Sequence, residues 1–121
     1  MLTERDLLFN IIQNTPENSV WNISSDSWER IPEVFSQFIS INETYGWDIV
    51  IRNDNRAQIL EIIDKEEIYD KIIHQNIMLG SITIFKSYDH MIISFLEKSF
   101  PCFESIIQKY QQAEFEVLEL R

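Results

Sequence analysis

Glycine is almost missing from this sequence. Gly46 and Gly80 are the only two among 121 residues, and they stand far apart. Cradling a phosphate with backbone N–H groups needs several glycines close together, so a phosphate loop and a dinucleotide-binding turn are both excluded. Cysteine is as scarce. Cys102 is alone, which rules out an internal disulfide, and in its apolar stretch after Pro101 it reads as a small buried hydrophobe. His74 and His90 are the two histidines. With one thiol they fall short of the tetrahedral nitrogen and sulfur set that a closed zinc site needs. No Gly-x-Ser-x-Gly elbow is present to expose a nucleophilic serine. The expectation is a protein with no cofactor, no metal and no catalytic residues.

Basic residues are few as well: ten Lys and Arg face twenty Asp and Glu, for a net charge of -10. Such a surface is repelled by DNA, RNA and anionic lipid. Arg52 and Arg56, the closest arginine pair, have Asp54 between them, so no basic patch offsets that field. Neither nucleic acid nor a membrane is an expected partner. Long apolar runs are also missing, since nothing approaches the ~20 residues that span a bilayer. The opening Met1, Leu2, Thr3, Glu4, Arg5, Asp6 has no basic region before an apolar core. A reducing cytoplasm is the expected setting.

What is present is a core. Apolar residues make up 45% of the chain, led by isoleucine and joined by eight phenylalanines. A chain of this size forms one domain and removes roughly two-thirds of its unfolded surface from water. Scarce glycine and proline imply regular elements joined by short polar connections.

Hydrophobic spacing predicts those elements. Residues 3–13 read as a helix capped by Thr3, with Leu2 and Leu7 as a staple and Leu7, Leu8, Ile11 and Ile12 as its stripe. Residues 20–23 suit a short strand. A second helix is expected to start near Pro32, with Val34, Phe35, Phe38 and Ile39 on its face. An earlier start capped by Asp26 and Glu29 would bury Pro32 too deep in the helix. Alternation of Trp47, Ile49 and Ile51 predicts a strand, and Asn53, Asp54 and Asn55 a turn. Residues 56–63 fit either a returning strand or a helix, and we take the strand, because Glu66 and Glu67 interrupt the helical stripe. A third helix is then expected over 64–78, with Ile68, Tyr69, Ile72, Ile73 and Ile77 inward and Gly80 at its exit. Residues 81–86 and 91–96 predict a hairpin. Residues 101–112 predict a final helix from Phe103, Ile106, Ile107 and Tyr110, and 115–120 a last strand. The expected fold class is α+β: a single domain over 1–121, with an antiparallel sheet built from hairpins and about four helices packed mainly on one face.

Two features point to a binding surface. Glu61, Asp64, Glu66, Glu67 and Asp70 crowd one segment with only Lys65 inside it. On a helix, Glu66, Glu67 and Asp70 would share one side. The plain alternative is a solvated face. Paired carboxylates also serve as acid and base in glycoside hydrolysis, and metal-dependent nucleases use acids, but Lys65 falls at the wrong offset for a Glu-x-Lys nuclease signature. The second feature is aromatic. Trp28, Tyr45, Trp47, Tyr69 and Tyr88 are harder to place than the phenylalanines, most of which fit apolar stripes; Tyr69 sits within the acidic run and Tyr88 abuts Asp89. Tyrosine and tryptophan are enriched at binding hot spots. The candidate partner-binding residues are Glu66, Glu67, Tyr69 and Asp70, with Tyr88 and Asp89 as a second group.

In length, acidity, isoleucine-rich composition and lack of catalytic motifs, the chain resembles the immunity proteins of bacterial toxin systems, those of contact-dependent growth inhibition being the nearest comparison. The resemblance is one of profile over the whole chain, and it transfers no residue role. It implies a protein that neutralises a cognate basic toxin, in many cases a nuclease, by presenting carboxylates to the surface that holds phosphate. Charge steering would speed that association. A phage DNA mimic, a regulatory subunit and a carboxylate-dependent enzyme are the rival readings.

Overall fold

The computed structural model describes residues 1–25, 30–42 and 46–121. The first helix, α1 (Glu4–Asn14), opens on a reciprocal cap: the Thr3 hydroxyl accepts from the Asp6 N–H, and the Asp6 carboxylate accepts from the Thr3 N–H. Its stripe of Leu7, Leu8, Ile11 and Ile12 is fully buried. Then follow β1 (Ser19–Ser25), α2 (Arg30–Val34), β2 (Ile39–Ile41), β3 (Trp47–Ile51), α3 (Arg56–Lys65), a 3-10 turn (Tyr69–Lys71), β4 (Ile72–Leu79), β5 (Ile82–Tyr88), β6 (Ile93–Glu97), α4 (Phe103–Gln112) and β7 (Glu116–Leu120).

The strands make one open seven-stranded sheet in the order β2-β3-β1-β4-β5-β6-β7. Every pair is antiparallel except β6 with β7. That exception follows from α4, the crossover a parallel return requires. The architecture is the expected α+β domain, with one departure from a sheet made wholly of hairpins.

Side-chain alternation divides the sheet into two faces. Trp21 stands opposite Ile49 and Ile77, Ile77 opposite Phe85, and Phe85 opposite Leu96; all of them are buried. Against this row pack the α1 stripe, Ile59 and Ile63 of α3, and Ile106 and Tyr110 of α4, in one continuous core. Phe35, just past α2, meets the Trp21 ring edge-on at 5.6 Å. The opposite face carries Asn22, Asp48, Asn76, Lys86 and Phe95, which are only half-buried.

Four expectations are corrected. Residues 56–65 form a helix, not a returning strand, because Asn55 turns the chain at once. Its Oδ1 accepts from the Arg52 N–H (2.8 Å) and its amide donates to the Val50 carbonyl (2.9 Å). Arg56 then donates to the Ile12 carbonyl at 2.7 Å, satisfying an acceptor at the C-terminal end of α1. Residues 72–79 form a central strand, not the end of a third helix. Pairing on both sides with β1 and β5 decides for the strand, and a register shift opposite Ser24 and Ser25 lets Ile72 and Ile77, five residues apart, both be buried. Gly80, at φ +61, turns that strand into β5. The second helix stops at Val34, and Ile39–Ile41 pairs as an edge strand. Cys102 is exposed rather than buried, at the N-cap of α4 with φ 62. The alternative cap at Asp26 and Glu29 lies outside the described residues. No helix among the described residues is long and apolar enough to cross a membrane.

Candidate functional site

The acidic segment is not a helix face. Glu66 terminates α3 in an extended conformation, its N–H donating to the Ile62 carbonyl at 2.8 Å. The chain then passes through fully buried Ile68, which anchors the segment in the core, to the Tyr69–Lys71 turn. Glu66, Glu67 and Asp70 therefore do not line up at helical spacing. Two of them are met by arginines from other elements. Arg30 of α2 pairs with Glu66 and, at 3.2 Å, with Glu33. Arg5 of α1 pairs with Glu67 at 3.5 Å and lies over the Tyr69 ring at 5.9 Å. Asp64 and Asp70 are exposed and form no ion pair among the described residues.

Beside this segment, α2 and the residues after it stand off from α3 to leave an open cleft of about 310 Å³. Val34, Phe38 and Ile62 line it, all partly buried and packed on the core. Glu61, Lys65 and Glu66 line it too. Lys65 donates to Glu61 at 2.5 Å along α3, and this hydrogen bond with its charge holds the Glu61 carboxyl below the usual carboxylate range and raises the Lys65 ammonium. Both members are solvent-exposed, so water and salt screen the pair and it adds little to stability. An apolar lining beside carboxylates suits an arginine or lysine, whose aliphatic stem lies on carbon while its head meets oxygen.

The second candidate group sits on a rigid corner. Asp89, His90 and Met91 all take left-handed backbone angles, with φ 51, 59 and 69. Each costs about 1–2 kcal/mol for a side chain with a Cβ. Three anchors hold the turn: Met91 is buried, His90 N–H donates to the Ile73 carbonyl at 3.1 Å, and Ile92 N–H to the Tyr88 carbonyl at 3.1 Å. Asp89 and Tyr88 are exposed. Since Ile73 follows closely on Lys71, this turn and the acidic segment lie at the same end of the sheet.

The Tyr88 ring belongs to the half-buried sheet face. It meets His74 edge-on at 5.3 Å and Phe95 at 6.2 Å, with Lys86 Nζ 5.8 Å away over its ring. Further along that face, Asp48 accepts from the amides of Asn22 (2.9 Å) and Asn42 (3.1 Å). The sequence reading missed Asn22, Asp48, Asn76 and Lys86. Their signal was the polar member of each strand's alternation, but only the register shows that they form one row. Trp28 and Tyr45 lie outside the described residues. Trp47 is buried and belongs to the core.

Among the described residues, no three His, Cys, Asp or Glu side chains gather into a set that could hold a metal ion. Compared with protein-family models, curated proteins and solved structures, the chain matches none.

Proposed function

We propose that this protein is an immunity-type inhibitor that binds a basic toxin domain of the nuclease class in the cytoplasm and covers its active site. The observation that supports this reading is the cleft between α2 and α3, with Val34, Phe38 and Ile62 beside Glu61 and Glu66. A nuclease is basic where it holds phosphate. An arginine or lysine from that surface can lay its stem on the cleft lining and displace Lys65 from Glu61. Glu67, Tyr69 and Asp70 extend the contact from one side, and Tyr88 and Asp89 stand at the same end of the sheet. The remaining negative charge steers the encounter.

The test uses the small basic domain that this reading expects a neighbouring reading frame to encode. Its association with the wild-type chain and with Glu61→Lys/Glu66→Lys and Glu67→Lys/Asp70→Lys pairs is followed by stopped-flow fluorescence across a salt series. Both pairs should slow association about tenfold or more and flatten its salt dependence. Kinetics unchanged by either pair would sink the cleft as the site.

A further inference from the structure

The half-buried face of the sheet is unlike the rest of this surface. In a chain of net charge -10, the row that crosses it is balanced. Asp48 on β3, Asn22 on β1, Asn76 on β4 and Lys86 on β5 are successive cross-strand neighbours. The Asp48 carboxylate is anchored by the Asn22 and Asn42 amides. The Lys86 ammonium lies 5.8 and 5.9 Å over the Tyr88 and Phe95 rings and forms no ion pair among the described residues. The row borders open clefts of about 340 and 470 Å³.

We propose that this face binds a second copy of the chain, sheet on sheet, about a two-fold axis running along the strands between β1 and β4. That axis exchanges the position of β3 with β5 and of β1 with β4. Lys86 of each copy then faces Asp48 of the other, and Asn22 faces Asn76. The next row in register, where Val20 neighbours Val50 and Met78, brings Val20 onto Met78 of the second copy. One charge pattern thus becomes two opposite-charge contacts, flanking the Asn22 and Asn76 amides, which are already hydrogen-bonded to each other within the chain. No other axis along the strands brings both unlike charges together. Strands spaced ~4.8 Å apart and sheets packed ~10 Å apart leave room for these side chains. The face offers roughly 500 Å² per copy, at the lower bound for a specific interface, so the dimer is a weak, reversible one.

Sedimentation velocity of the full chain over a concentration series tests this, with circular dichroism as the check on folding. Wild type should move from 14.5 kDa to twice that mass as concentration rises. Lys86→Glu alone and Asp48→Lys alone should each weaken self-association at least about tenfold, by placing like charges in contact. An equimolar mixture of the two should recover a dimer, because each mixed pair joins unlike charges. A wild type that stays monomeric, a Lys86→Glu chain that dimerises as tightly as wild type, or folded single variants whose mixture gains nothing would each overturn the proposal. Should Asp48→Lys fail to fold, Lys86→Glu and Val20→Glu, both expected to be monomeric, carry the test.

Discussion

Replacing either glycine by alanine gives the sharpest check on how β1 meets the β2–β3 hairpin. Gly46 has φ +51, and a Cβ built on it would lie 1.9 Å from the Ile23 carbonyl oxygen and 2.9 Å from its carbon. Both are backbone atoms of a strand paired on each side, so neither can swing away. Gly80 has nearly the same backbone angle, φ +61, but a Cβ there meets nothing within 4 Å. The two substitutions share the left-handed penalty of about 1–2 kcal/mol, partly offset by the lower entropy of the unfolded alanine chain. Gly80→Ala should therefore cost about 1 kcal/mol, or roughly 4 °C in Tm for a domain of this size. Gly46→Ala carries the overlap in addition. Relieving it means moving β1 by more than a bond length and loosening the Asn42 N–H to Gly46 carbonyl bond of 3.0 Å that closes the hairpin. A loss of at least about 4 kcal/mol is expected, a large share of the 5–15 kcal/mol such a domain has. Paired urea and thermal unfolding of the two variants measures the difference. If Gly46→Ala is as mild as Gly80→Ala, β1 does not approach the hairpin as closely as described, and the position of the Asn22 and Asp48 row falls with it.

Other consequences are open to measurement. Trp21 Nε1 donates to buried Gln75 Oε1 at 2.8 Å. Trp21→Phe and Gln75→Leu should each strand a buried polar group at a cost of about 1–3 kcal/mol, while the double variant should lose less than their sum. Strict additivity in a urea cycle would remove the bond from the core. Thr3→Ala should destabilise by about 1 kcal/mol through loss of the α1 cap, and no change in Tm would mean that the helix starts elsewhere. Tyr110 is fully buried, and burial pushes its phenol above the ordinary 10.0. Its folded value lies above its unfolded one, so its contribution is complete below pH 10.0 and is lost as pH rises through the folded value. Absorbance at the tyrosinate band should show Tyr110 ionising together with alkaline unfolding, and Tyr110→Phe should delete that step.

Local signals were legible in the sequence, and long-range ones were not. Thr3 and Asp6 cap α1 through neighbours in the chain, and Ile106 and Tyr110 of the α4 stripe are buried as spaced. The β5–β6 hairpin also followed from adjacent residues. By contrast, the isoleucines of 59–63 and 68–77 are both spaced as for a helix, yet the first set lies in a helix and the second leads into a strand. What separates them is non-local: Arg56 reaching the Ile12 carbonyl, and β4 flanked by β1 and β5. The same holds for the candidate site. The excess of carboxylates around Glu66 could be read directly, but the arginines that meet them come from α1 and α2. The balanced row on the sheet could not be seen without the register, since its members lie on four different strands.

The two proposed surfaces make a joint demand. Phe35 packs on Trp21 on the covered face of the sheet, and Ile59 and Ile63 of α3 enter the same core, so the α2–α3 cleft opens away from the Asp48 to Lys86 row. A dimer joined through that row leaves both clefts facing outward and unobstructed. Each chain should then bind one basic domain whether or not it is paired, and at high concentration the complex should contain two of each. Light scattering on a titration gives the mass, and calorimetry the stoichiometry. Lys86→Glu should reduce the complex to one of each with no loss of affinity per chain, because the cleft residues are untouched and the added negative charge favours a basic partner. Glu61→Lys/Glu66→Lys should leave the dimer intact and weaken only the heterologous contact. If instead Lys86→Glu abolishes binding of the basic domain, the sheet face is where that domain sits, and the assignment of separate surfaces is wrong.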